Sequence, residues 1–230
     1  MRIHGFQKLT LLDYPGFVAC TVFTGGCNFR CPFCHNAPLV LLEDEALAED
    51  EVLSILQKRR GLLDGVCISG GEPLLQPDIG DFMKKLRAMG YKIKLDTNGS
   101  FPQKLRALVE EGLVDMVAMD IKNSPEKYAE TVGVPGFDVG PVKESAAFLM
   151  EGRVDFEFRT TVVRPLHTAE DFEKIGRWLP GAPKYYLQQF RDSGALLAAE
   201  GLGAYTEEEM QIFAEAAKPF IPHTYLRGMD

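Results

Sequence analysis

The chain has no apolar run near the roughly 20 residues that a helix needs to cross a bilayer. Its first residues, Met1-Arg2-Ile3-His4-Gly5, lack the apolar stretch of a secretion signal. Both absences lead to the expectation of a cytoplasmic protein. Positive charge is also short: 25 Lys and Arg stand against 33 Asp and Glu, a formal net charge of -8, and the isoelectric point is near 5.1. A nonspecific nucleic-acid binder carries a basic footprint, so neither nucleic acid nor membrane is expected as a partner. Five cysteines, an odd number in a chain unlike a secreted scaffold, argue against a disulfide framework. Linkers and low-complexity segments are missing too. Residues 1–230 are therefore expected to form one domain, and 46% hydrophobic residues can give it a substantial core.

What is present is an alternation of strand and helix patterns. Residues 1–16 read as an irregular N-terminal segment closed by the turn signal Pro15-Gly16. Valine, threonine and phenylalanine between Phe17 and Phe23 give a first strand. Five more follow at Gly65–Ile68, Tyr91–Leu95, Met116–Met119, Val154–Val163 and Lys184–Phe190. Amphipathic patterns between them predict helices over 46–60, 77–89, 102–111, 125–131, 142–151 and 169–179. A last helix is expected near 207–218, with a short apolar tail after it. Such alternation implies βαβ units and a parallel sheet with right-handed crossovers. The expected fold is α/β, a partial (β/α)6 TIM-like barrel of parallel strands open on one side. Its core lies in residues 17–190, and residues 191–230 supply the C-terminal helix and tail.

The densest chemistry sits directly after the first strand, in Cys27-Asn28-Phe29-Arg30-Cys31-Pro32-Phe33-Cys34-His35-Asn36. A loop that short can aim three thiolates at one inorganic centre, and thiolates suit soft metals and iron–sulfur clusters. A cubane cluster held by three cysteines keeps one iron open for a substrate or cofactor. A Cys3His zinc site is the alternative, but Cys34 and His35 are adjacent, and neighbours rarely both reach one tetrahedral ion. Cys20 and Cys67 fall in apolar strand patterns and read as core. The cysteine loop, Gly70-Gly71-Glu72, Asp96, Asp120-Ile121-Lys122 and Gln188–Arg191 all follow predicted strands. In parallel α/β barrels the loops after the strands converge on the mouth that carries the chemistry.

The C-x3-C-x-aromatic-C run, here Cys27, Cys31, Phe33 and Cys34, resembles the cluster motif of the radical S-adenosylmethionine (radical SAM) enzymes. With His35-Asn36 and the upstream Asp13-Tyr14-Pro15-Gly16, it resembles the activating enzymes of glycyl-radical enzymes, most closely the activating protein of anaerobic ribonucleoside-triphosphate reductase. The resemblance implies a 4Fe-4S cluster on Cys27, Cys31 and Cys34 with one iron open to S-adenosylmethionine. It implies reductive cleavage of that cofactor and hydrogen abstraction, by the 5′-deoxyadenosyl radical, from a glycine of a glycyl radical enzyme. A reductant such as flavodoxin or ferredoxin is then a second partner.

Residue by residue, the resemblance implies that Gly70, Gly71 and Glu72, 36 to 38 residues beyond Cys34, hold the aminoacyl part of the cofactor. Glycine allows close backbone approach, and a carboxylate offsets an ammonium. Lys122 is expected to meet the cofactor's carboxylate, with Asp96 and Asp120 near the ribose or a bound monovalent cation. Arg159, a charge in an apolar-looking run, should have a partner: the carboxylate of the cofactor or an aspartate at the mouth. Phe33 is expected against adenine. Related activating enzymes carry a histidine after the sixth strand; this chain has Leu187-Gln188-Gln189-Phe190-Arg191 instead, and Gln188 is the candidate for the ribose contact. His35 is expected to cap the loop or touch a partner, and His4, His167 and His223 have no neighbours suggesting catalysis. Two readings compete with glycine activation: a radical SAM enzyme acting on a small molecule, of the 7-deazapurine synthase type, and a non-enzymatic iron–sulfur protein. The second prefers a fourth cysteine and leaves Gly70-Gly71-Glu72 unexplained.

Overall fold

In the computed structural model, which describes residues 1–43, 45–192 and 194–229, one eight-stranded sheet runs in chain order from edge to edge. Asp44, Ser193 and Asp230, inside the span assigned to the domain, lie outside the described residues. The strands are β1 Ile3–Thr10, β2 Ala19–Thr24, β3 Gly65–Gly70, β4 Lys92–Thr97, β5 Met116–Asp120, β6 Asp155–Val162, β7 Tyr185–Gln189 and β8 Thr224–Arg227. From β2 to β8 every pairing is parallel, while β1 lies antiparallel to β2. The sheet is open, as expected, with β1 and β8 as its edges.

Six strands match the expected ones to within a few residues; two were not expected. Residues 3–10, read as irregular, form β1, and the supposed apolar tail contains β8. Neither shows a two-residue hydrophobic period. Most of β1 is exposed or half-buried, with only Ile3 and Thr10 buried, and an edge strand of that kind leaves little pattern to read. β8 has four residues and is fixed partly by charge. Arg227 makes paired bonds to the buried Glu157 of β6, at 3.0 and 3.2 Å, and its guanidinium lies 3.7 Å from the Tyr186 ring centroid.

The helices are α1 Ala37–Leu41, α2 Glu49–Lys58, α3 Ile79–Ala88, α4 Pro102–Glu110, α5 Tyr128–Thr131, α6 Gly140–Met150, α7 Ala169–Trp178 and α8 Glu207–Ala217. They cover one face of the sheet, except α1, whose Val40 borders a cavity on the other face. Side chains alternate along each strand. Val22, Ile68, Leu95, Val117, Phe158 and Leu187 face the helices and share a core with Phe82, Leu86, Leu105, Leu149 and Ile175. Burying one such side chain contributes about 1.5–3 kcal/mol, so this face supplies most of the cohesion. The alternate positions are unusually polar: Thr21, Ser69, Lys94, Asp96, Asp120, Glu157, Arg159, Thr161 and Gln188. The pairings Asp120 with Arg159 and Thr161 with Gln188 align them across neighbouring strands. A face this polar is poor packing material, and its upper half lines that cavity. Among the described residues no helix is long and apolar enough to cross a membrane.

Candidate active site

The cavity, about 270 Å3, opens at the C-terminal end of the parallel strands. Cys27, Cys31, Cys34, Phe33, Gly70, Gly71, Asp96, Asp120, Lys122, Arg159 and Gln188 all line it. Every expected site residue is thus gathered at one place except Glu72.

The loop after β2 is held at several points. Arg30 donates its backbone N–H to Val132 O at 2.8 Å, and its Nη1 donates to Cys27 O at 2.6 Å and Phe29 O at 2.7 Å. Phe29 packs edge-on against Phe137 with ring centroids 5.0 Å apart, and Phe137 stacks on Tyr128 at 5.9 Å. Ala198, in the segment after β7, donates to Pro32 O at 3.0 Å. These contacts hold the loop through groups other than its thiols. Burial raises the Cys27 thiol to about 11 and the Cys31 thiol to about 12, so any metal bound by them would have to displace these protons. Cys27 Sγ already accepts from the Phe29 N–H at 3.4 Å and faces Asn98 Nδ2 at 3.9 Å. Hydrogen bonds to cluster sulfurs are one of a protein's means of setting the potential.

These residues fit a cluster better than a single ion. Ligands of a zinc site converge within roughly 2.3 Å of one point, and among the described residues no three His, Cys, Asp or Glu are gathered in that way. The three thiols instead border one cavity, as a body several ångströms across requires. His35 is exposed and also borders it.

The two glycines of the β3 loop serve an approach of backbone to backbone. Gly71 N–H donates to Thr24 O at 3.0 Å and Glu72 N–H to Gly26 O at 2.8 Å, joining this loop to the cysteine loop. A Cβ on Gly70 (φ +126°) meets Thr24 O at 2.3 Å, and one on Gly71 meets Gly26 O at 2.0 Å. Glu72 differs from its expected placement. It is fully buried behind the cavity, where Oε1 accepts from Leu74 N–H at 3.0 Å and Thr97 Oγ1 at 2.8 Å, and Oε2 from Asn98 N–H at 2.7 Å. A strand-to-helix turn must satisfy its free N–H groups, and this carboxylate does so for two successive loops. Burial raises its pKa to about 7 despite those bonds.

Charged side chains from β4, β5 and β6 form the floor. Arg159 reaches Asp120 Oδ1 at 3.1 Å and Asp96 Oδ2 at 3.4 Å, and Lys122 Nζ reaches Asp120 Oδ2 at 2.9 Å. Burial alone favours neutral aspartates, yet Lys122 and Arg159 bring Asp120 down to about 2, and Arg159 and Lys94 hold Asp96 below the usual range. Lys122 and Arg159 are raised in turn by the aspartates, against the effect of burial. The cations face a cavity in which a ligand carboxylate can find both. Lys122→Ala removes one charge-assisted contact of about 1.5–3 kcal/mol. It should weaken S-adenosylmethionine binding roughly ten- to a hundredfold in calorimetry, with iron content unchanged; unaltered affinity excludes Lys122 from the site.

Several contributors were not visible beforehand. His167 is buried; its Nδ1 accepts from Val163 N–H at 3.1 Å, which leaves Nε2–H to donate to Lys122 O at 2.8 Å. It fixes the backbone that presents Lys122. Asn98 Nδ2 donates to Asn28 Oδ1 at 2.9 Å, tying the β4 loop to the cysteine loop. Asp13 and Thr21 line the cavity below Phe23. Lys94, from β4, lies against Asp96. The Lys94–Asp96 spacing of two, which puts both on one strand face, was available as a signal; His167 had none.

Comparison with known proteins agrees with this geometry. The Radical SAM superfamily profile matches residues 21–179. The chain belongs to the radical SAM superfamily, and it is an enzyme of that kind. A Methanocaldococcus jannaschii protein provisionally named a glycyl-radical enzyme activating enzyme is 29% identical over 234 residues, covering 99% of this chain and 96% of that one. Pyruvate formate-lyase-activating enzyme of Listeria monocytogenes is 28% identical over 235 residues, covering 90% and 92%. Among solved structures, SuiB of Streptococcus suis superimposes with a TM-score of 0.69 at 14% identity, over 90% of this chain and 48% of SuiB, a likeness of fold.

Proposed function

We infer that this enzyme installs a glycyl radical on a partner protein, with anaerobic ribonucleoside-triphosphate reductase as that partner. The observation that carries the reading is the meeting of Cys27, Cys31 and Cys34 with Lys122 and Arg159 around one cavity. Near end-to-end similarity to a chain named for glycyl-radical activation supports the choice of protein substrate. When bound, a 4Fe-4S cluster and S-adenosylmethionine supply one-electron cleavage of a carbon–sulfur bond and an organic radical; that chemistry belongs to the cofactors.

The chain's own residues bind and orient. Cys27, Cys31 and Cys34 are the cluster ligands. Lys122 and Arg159 take the cofactor's carboxylate, and the backbone of Gly70 and Gly71 takes its ammonium. Glu72 holds that backbone from behind. Phe33, 5% exposed, offers a face to adenine, and Gln188 is within the lining to meet the ribose. Excluding water from such a site strengthens each of these contacts. The open sheet leaves a side approach for a loop of the partner, and ordering a flexible loop costs binding energy, so a transient complex is expected.

The test mixes anaerobically reconstituted protein, a one-electron reductant, S-adenosylmethionine and the candidate reductase. A glycyl doublet in electron paramagnetic resonance, dependent on all components, is the expected result. Cofactor cleavage with no doublet on the reductase, but with one on another glycyl-radical enzyme, reassigns the partner. Cleavage driven instead by a purine precursor overturns protein activation.

A further inference from the structure

Asp96 and Asp120 are the groups that the family resemblance associates with a free monovalent cation. The donor set around them does not fit one, because this chain's own donors already occupy all four carboxylate oxygens. Lys94 Nζ bonds Asp96 Oδ1. Ser69 Oγ at 3.2 Å and Arg159 Nη1 at 3.4 Å face Asp96 Oδ2. Arg159 Nε meets Asp120 Oδ1 at 3.1 Å, and Lys122 Nζ meets Oδ2 at 2.9 Å. With Asp13, which lines the same cavity, three anions stand against Lys94, Lys122 and Arg159, so the side chains balance without a free ion. A free alkali ion adds a like charge in a site where solvent screens poorly.

Lys94 is the member without another explanation. Its side chain is 2% exposed, and lysine is almost never so buried unless paired. It does not line the cavity; it lies behind Asp96 on the polar face of the sheet, with Nζ 4.0 Å from Cys67 Sγ. Lys122 and Arg159 can turn to an incoming carboxylate, whereas Lys94 stays with Asp96 whatever the cavity holds. Without it, Asp96 keeps only Ser69 and the longer Arg159 contact.

We propose that the Lys94 ammonium is a tethered monocation that replaces a free alkali ion at Asp96, so that cofactor binding is independent of sodium and potassium. Lys94 is a positioning residue: it neutralises Asp96 and so leaves Arg159 available to Asp120 and the ligand. The proposal rests on the reading that this cavity takes S-adenosylmethionine.

Two measurements on cluster-reconstituted protein test it. Calorimetric affinity for S-adenosylmethionine in choline chloride should agree within about twofold with that in sodium or potassium chloride of equal ionic strength. A rise of about tenfold or more with either alkali ion overturns the proposal. Lys94→Met should weaken binding in choline by about tenfold and regain most of it in potassium or ammonium chloride, while Lys94→Arg stays independent of the salt. Sodium NMR relaxation, which needs no cofactor, should find no specific sodium site in the unsubstituted protein and a new one in Lys94→Met. A specific site in the unsubstituted protein overturns the proposal. If Lys94→Met does not fold, the salt comparison and the relaxation of the unsubstituted protein still decide. Failure to bind the cofactor in every salt instead refutes the cavity's assignment, and sodium relaxation then decides the role of Lys94 by itself.

Discussion

Cys31→Ala, reconstituted with iron and sulfide without air, should lack the broad visible absorbance of a cubane cluster and should not cleave S-adenosylmethionine. Three thiols border the cavity, and Cys31 is the most enclosed of those that burial keeps protonated, only 6% exposed. On the proposed assignment, removing it leaves two thiols for a body that needs three protein contacts to be held in one orientation. The loop itself should survive, because its anchors are elsewhere: the Arg30 bonds to Cys27 O and Phe29 O, and the Phe29–Phe137 contact. Circular dichroism and the melting temperature of the metal-free variant should therefore stay close to those of the metal-free parent. Intact cubane absorbance in Cys31→Ala refutes its role as a ligand. A collapsed fold refutes the claim that these contacts, rather than the thiols, hold the loop.

Gly71→Ala is the second substitution expected to act strongly, and it does so without touching a reactive group. The added methyl group falls 2.0 Å from Gly26 O and 3.3 Å from Cys27 Cβ. The first obstacle is backbone, so it cannot swing aside like a side chain; the β3 loop and the cysteine loop must part. Overpacking costs about 1–3 kcal/mol, and this case belongs at the upper end. At roughly 2–4 °C per kcal/mol for a chain of this size, the melting temperature should fall by about 6–12 °C. Cluster content should fall with it, since Gly71 N–H to Thr24 O and Glu72 N–H to Gly26 O hold the loop that carries Cys27. Gly80→Ala is the control: its methyl group meets only Leu108 Cδ2, at an ordinary 3.5 Å. Alanine stabilises a helix over glycine by about 0.5–1 kcal/mol, so that variant should melt slightly higher. Equal melting temperatures for the two variants contradict the close approach described for Gly71.

Strands β2 to β7 were legible because each carries a short apolar run followed by a loop with unusual residues. β1 and β8 were not, because edge strands with one half-wet face have no period to detect. The site was legible where a motif marks it, at Cys27, Cys31, Cys34, Gly70 and Gly71, or where two charges two residues apart must share a strand face, at Asp120 and Lys122. Arg159 looked like a lone charge in an apolar run; it lies directly beside Asp120 in the sheet register, a relation no local pattern encodes. Glu72 shows the opposite limit. Its position along the chain was clear, but the direction of its side chain depends on Thr97 and Asn98, 25 and 26 residues away. His167 acts from 45 residues beyond Lys122 and leaves no trace until the chain is folded.

The unclosed sheet also bears on self-association. Two strand edges with free backbone groups are a template on which copies of a protein can stack. Here each edge is blunted. β8 is four residues long and carries Arg227, held by Glu157; β1 is interrupted by two irregularities in its pairing with β2, and Leu47 bridges its Ile3. Such features oppose edge-to-edge stacking while leaving the sheet open.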